Sequence, residues 1–114
     1  GVDPDLESGT WYREVGSGMG ATLNVAVGIG AHTLTDRATW EGFRNKGNFG
    51  VLVQGDRRLF NPYSVILINP LRHPHVNAGG GRAFIRWLTS RDGQAAIGAY
   101  RVGGIQVFHP AIGN

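Results

Sequence analysis

Two short runs in this sequence bring together groups that hold anions. The first is Gly16-Ser17-Gly18-Met19-Gly20-Ala21. A glycine turn opening into a helix leaves the first backbone N–H groups ahead of the hydrogen-bond ladder, beside the positive end of the helix dipole. An oxyanion is drawn to such a point, and Ser17, Gly18 and Met19 stand there. The second run is Thr33-Leu34-Thr35-Asp36-Arg37, a strand end running into a helix start. Thr35 offers a hydroxyl, the turn offers N–H groups, and Arg37 offers a charged fork. Each run also has a plain structural reading. Glycine serves simply as a turn before a helix. Thr35 and Asp36 serve as helix caps, with Arg37 paired to Asp36 or Glu41.

Other chemistries find less support. Gly16, Gly18 and Ala21 match the dinucleotide pattern G-x-G-x-x-A, and Asp36 lies about where a ribose-binding acid belongs. The strand before such a turn is buried and nearly all apolar, whereas Arg13 and Glu14 precede these glycines. His73-Pro74-His75 has no neighbouring Asp or Glu, so a proline-fixed loop is favoured over a metal site. There is no cysteine, hence no disulfide, thiolate nucleophile or Cys-bound zinc. No G-x-S-x-G elbow occurs, and the only lysine, Lys46, is not in a P-loop. The formal charge is +3, carried almost wholly by arginine. Arginine's planar fork suits oxyanions. No run of four basic residues marks a nucleic-acid partner, and none is expected.

The elements needed to hold these groups read as follows. Residues 1–10 are a polar lead-in. A helix begins near Gly18, carries Met19, Leu23, Val25 and Ala26, and ends at Gly28 and Gly30. Residues 31–35 form a short strand, and a second helix starts at Thr35 or Asp36 and runs through Trp40 and Phe43. Residues 49–53 are another strand. Residues 63–68 (YSVILI) form the most apolar strand, expected to be buried on both faces. After a loop through Gly79-Gly80-Gly81 comes an amphipathic helix with Ala83, Phe84, Trp87 and Leu88 on one stripe. Ser90 or Asp92 opens another helix, ended by Gly103-Gly104, and residues 105–108 form a terminal strand. Strands alternating with helices indicate α/β layering. The strands that the late helix pair must cover are not found in the chain. The expectation is therefore a chain that is incomplete or borrows strands from a partner.

The run G-S-G-M-G-A-T-L-N-V-A followed by A-H-T-L-T-D-R-A-T-W resembles the periplasmic tungstate-binding proteins of ABC transporters. Gly55-Asp56, Leu59 to Tyr63, Val65-Ile66 to Asn69-Pro70, His73-Pro74, Asn77, Phe84 to Leu88, Gly93-Gln94, Ile97, Gly104 and Phe108 extend the likeness, in order, from about Trp11 to the end. His32 stands where the family usually has tyrosine, and Ala38 where it often has glycine. The resemblance implies part of a two-lobed type II periplasmic binding protein. Residues 11–60 would belong to its second lobe and 61–71 would be the hinge return strand. Residues 72–114 would be a helix pair and terminal strand on the first lobe.

It further implies a binder of tungstate or molybdate, not an enzyme, with no cofactor, working outside the cytoplasmic membrane with an ABC permease. The anion-holding residues it carries over are Arg37 and Thr35, and less strongly Ser17, Gly18 and Met19. The family's Thr/Ser-rich first-lobe segment has no counterpart here. Ser8-Gly9-Thr10 sits directly before Trp11-Tyr12, too late to match the family's Ser-Gly-Thr. The cleft is therefore expected to be half present, completed by a missing N-terminal half or by self-association. The alternative is a structural, oligomerising module of the same fold that binds nothing. The sequence lacks the basic and apolar regions of a signal peptide.

Overall fold

The computed structural model describes residues 3 and 5–111. Its elements run α1 (Met19–Ile29), α2 (Arg37–Gly42), a 3-10 turn (Arg57–Leu59), α3 (Ala78–Leu88), α4 (Arg91–Ala99), β1 (Arg101–Val102) and β2 (Ile105–Gln106). They fall into two units, Gly1–Val51 and Leu52–Asn114.

In the first unit, α1 places Leu23 and Ala26 three residues apart, hence on one face, and buries both. Leu23 is only 2% exposed. Gly28 lies inside the helix, and Gly30 alone caps it, its N–H donating to the Ala26 and Val27 carbonyls. α2 packs against α1. Just beyond α2, Asn45 Nδ2 donates to Asn24 Oδ1 on α1 at 3.2 Å. The Trp40 and Phe43 rings lie 6.5 Å apart, and Lys46 Nζ sits 4.8 Å from the Trp40 ring centroid, a cation–π contact.

The strands expected at 31–35 and 49–53 are extended or irregular backbone without a ladder. A strand exists only against a second one, and the described residues of this unit supply none beyond an isolated bridge from Ser8 to Tyr12. That bridge and the irregular residues after it also remove the dinucleotide reading, which needs a buried strand leading into Gly16.

In the second unit, Asp56 accepts from the Arg58 N–H at 2.8 Å and opens the 3-10 turn, while its other oxygen meets the Arg58 guanidinium at 2.7 Å. Residues 60–68 then run without regular structure. The burial expected for Tyr63–Ile68 is not present: Tyr63, Ile66 and Ile68 are all exposed. Its physical cause is the missing sheet.

α3 starts earlier than the glycine loop suggested. Asn77 Oδ1 accepts from the Gly80 N–H at 2.8 Å, so capping recruits Gly79-Gly80-Gly81 into the helix despite their low propensity. The Phe84 and Trp87 rings stack at 6.2 Å. Ser90 caps α4 through the Gly93 N–H and donates its own proton to the Trp87 carbonyl at 2.6 Å. At Gly93 the chains approach so closely that a Cβ would stand 2.1 Å from the Trp87 carbonyl oxygen, so only glycine fits this corner. Gln94 donates to the Leu88 carbonyl at 2.8 Å and accepts from the Ala111 N–H at 3.1 Å.

α4 stops at Ala99. Gly103-Gly104 does not end it but turns the hairpin of β1 and β2, both glycines having positive φ (56° and 82°) as a tight two-residue turn requires. The strands pair antiparallel, Arg101 opposite Gln106 and Val102 opposite Ile105. Val107 is buried just beyond, and Tyr63 meets Phe108 edge-on at 5.6 Å.

Candidate functional site

Both anion-holding runs lie in the first unit, each at a helix N-terminus, and the two ends are built differently. Gly18 is the N-cap of α1, in extended geometry (φ −64°, ψ 167°), and no side chain bonds to the cap. The first turn holds no acidic residue. The ladder begins when Thr22 N–H donates to the Gly18 carbonyl at 3.0 Å. The N–H groups of Met19, Gly20 and Ala21 therefore precede it by helix geometry. The Ser17 hydroxyl reaches the Val15 carbonyl at 3.3 Å, and the Thr22 hydroxyl reaches the Gly18 carbonyl at 3.1 Å. Ser17, Gly18 and Met19 are all exposed. Chemically this is an open donor end carrying partial positive charge.

α2 has the opposite arrangement. Asp36 is its N-cap, accepting from the Thr39 N–H at 2.8 Å and from the Thr39 hydroxyl at 2.7 Å. Burial acts to raise the Asp36 pKa, but bonds from the Thr39 backbone and hydroxyl and from nearby N–H groups together outweigh it, and the carboxyl titrates below its ordinary value. A formal negative charge thus occupies the point where an anion would sit. Thr35 donates its hydroxyl to the Asp36 carbonyl at 3.3 Å, and Arg37 lies 3.6 Å from Glu41 one turn along. The capping and i,i+4 pairing foreseen as the plain reading of this run are both present. The two runs sit on helices that touch, α1 and α2, within one unit.

His73 and His75 lie edge to face at 6.1 Å. No group of three His, Cys, Asp or Glu side chains is placed to hold a metal among the described residues. In the second unit, an apolar groove of about 190 Å³ is lined by Leu67, Ile68, Val76, Ala78, Phe84 and Ile85 among others. Sequence reading missed this groove. Its signal was available in the apolar stripe of α3 combined with the apolar run before it.

A PBP superfamily domain profile matches residues 3–92. The chain belongs to the PBP superfamily. Membership sets the α/β fold class, that of type II periplasmic binding proteins, and agrees with the family resemblance read from the motifs. Among curated PBP-type relatives, a putative ABC transporter anion-binding protein of Haloferax volcanii is 44% identical over 115 residues, covering 96% of this chain and 33% of its own length. A tungstate-binding protein, TupA, of Peptoclostridium acidaminophilum is 36% identical over 100 residues, with 88% of this chain and 34% of the relative covered. The TupA of Campylobacter jejuni is 36% identical over 88 residues, with 74% and 33% covered. The chain thus spans about a third of the length of these relatives. No solved structure matches it. No helix among the described residues is long and apolar enough to cross a membrane.

Proposed function

We propose that the chain is part of the substrate-binding component of an ABC transporter for tungstate- or molybdate-type oxyanions. The observation that carries this reading is the N-terminus of α1, uncapped by any side chain and free of acidic residues in its first turn. A doubly charged tetrahedral anion takes several N–H and hydroxyl donors at once, and a helix terminus preceded by Ser17 supplies donors of that kind. Ser17, Gly18 and Met19 are the central contacts in this proposal. Arg37 and Thr35 act as a flanking pair that joins the anion when the α2 segment turns toward it, Arg37 exchanging its contact to Glu41 for the oxyanion. The names of the relatives support an anion as the ligand class. The protein works outside the cytoplasmic membrane beside its permease and transforms no substrate.

Calorimetric titration of the chain with tungstate, with molybdate and sulfate as comparisons, tests the reading. Saturable heat with tungstate that disappears in Gly18→Asp is the expected result. Heat that is unchanged in that variant moves the site elsewhere. No heat at all leaves the chain without binding of its own.

One further observation favours a second reading. Among the described residues only Leu23, Ala26 and Val107 are buried hydrophobics, and many large apolar side chains are exposed. A module whose task is association would look the same. That reading expects concentration-dependent mass with no tungstate heat.

A further inference from the structure

His73 and His75 flank a single proline in the turn that leads into α3. The turn is bonded at both ends. The Asn69 carbonyl accepts from the Arg72 and His73 N–H groups at 3.2 and 3.0 Å, and Asn69 Oδ1 accepts from the Leu71 N–H at 2.9 Å. The His73 carbonyl accepts from the Val76 N–H at 3.2 Å, closing the turn over Pro74 and His75. Pro74 fixes its own φ, and Asn77 ties the exit to the first turn of α3. Backbone bonded in this way holds both Cα positions, and so sets where the two imidazoles stand.

Both side chains are exposed, and their ring centroids lie 6.1 Å apart with the planes at 86°. Their contact is with each other, and neither ring is hydrogen-bonded to another side chain among the described residues. Two imidazoles sharing one tetrahedral ion, at metal–nitrogen distances of about 2.0–2.1 Å, have centroids roughly 5 Å apart. The observed spacing is about 1 Å wider, a difference that χ rotation of two exposed side chains covers without moving the backbone.

The surroundings select the ion. No Asp or Glu joins the pair among the described residues. Calcium and magnesium require carboxylate and other oxygen ligands, whereas imidazole suits zinc, nickel and copper(II). With two protein ligands the remaining positions stay with water, so the site is open and weaker than a closed four-ligand one.

We propose that His73 and His75 form an open two-imidazole site for a divalent cation of the zinc, nickel or copper(II) class, one ion per chain. The pair lies in the second unit and both anion-holding runs lie in the first, so the inference does not rest on the anion reading.

Zinc chloride titrated into the 114-residue chain tests it, read by calorimetry and by the imidazole resonances of all four histidines. One zinc binds per chain, and only the His73 and His75 resonances move. His73→Gln and His75→Gln each weaken zinc binding at least about tenfold, because the second imidazole acts from the same turn at high effective concentration. Replacing His32 and His109 together by Gln leaves binding unchanged, and magnesium chloride gives no heat. The rings are exposed and make no bond to the fold, so these variants keep the parent's helicity. Unchanged zinc affinity in His75→Gln overturns the proposal. So do shifts centred on His32 or His109, one zinc per two chains, or no heat at millimolar zinc. Tungstate is absent throughout, so the anion reading stands or falls by a separate measurement.

Discussion

The two helix N-termini of the first unit start from the same backbone chemistry and end in opposite states. α1 begins at Gly18, which has no side chain to turn back on the first turn. α2 begins at Asp36, whose carboxylate takes the Thr39 N–H and hydroxyl for itself. Every helix presents orphan donors at this end, and the N-cap decides whether they are spent on the fold or left for a ligand. A cap stabilises the helix and closes the terminus to anions. A glycine gives up part of that stability and keeps the donors open. The T-L-T-D-R run, which looked the richer in ligand groups, is the one the fold consumes. The glycine run, with less to offer from its side chains, is the one left open.

The contrast breaks most severely at the buried face of α1. Leu23→Ala removes the most buried side chain of the unit, and we expect a loss of about 2–5 kcal/mol, seen as collapse of helicity at low urea. Next in size is Asp36→Ala. Losing this cap costs about 1 kcal/mol, read from the urea midpoint, and opens the α2 terminus.

The same residue gives a pH dependence. Asp36 has the lower pKa in the folded state, so its stabilisation is complete above the unfolded value near 3.8 and is lost as pH falls from there through the folded value. Midpoints measured from pH 6 down to about 2.5 fall more steeply in the parent than in Asp36→Asn. Equal slopes would remove Asp36 from this account.

Gly18→Asp gives α1 the closure that α2 already has. Stability rises by only a few tenths of a kcal/mol, because glycine is itself a tolerable N-cap. Tungstate heat is lost nonetheless, which separates the ligand effect from the structural one. Smallest of all is Glu41→Gln, which removes the carboxylate one turn along from Arg37 at a cost of about 0.2–0.5 kcal/mol in helix stability. If Arg37 joins the anion, this variant binds tungstate more tightly. Weaker binding argues that Glu41 positions Arg37 rather than competing for it.

Helix positions were legible in the sequence because helices are local. The starts of α1 at Gly18, α2 at Asp36 and α4 at Ser90 follow from residues at their own N-termini, whereas α4 ends at Ala99, well before the Gly103-Gly104 that its sequence suggested. α3 was placed too short because Asn77 was not read as a cap reaching across the glycines. The strands at 31–35, 49–53 and 63–68 were legible as apolar extended runs but not as strands, since a ladder requires residues far away in sequence. The hairpin at Gly103-Gly104 was misread for a related reason: two glycines end a helix or turn a hairpin equally well, and only the pairing of Val102 with Ile105 distinguishes them. In the candidate site the residue types were visible and their commitments were not. Nothing in T-L-T-D-R says whether Asp36 caps the helix or faces a ligand until Thr39 is placed 2.8 Å away.

The unpaired run at 63–68 also has a consequence in time. Among the described residues this segment has no ladder partner, and until one docks on it its free edge will accept whatever extended chain it meets first. Soluble yield should then be governed by how crowded nascent chains are and how long the edge waits. Slower, cooler expression would raise recovery without any change in the stability of the finished fold.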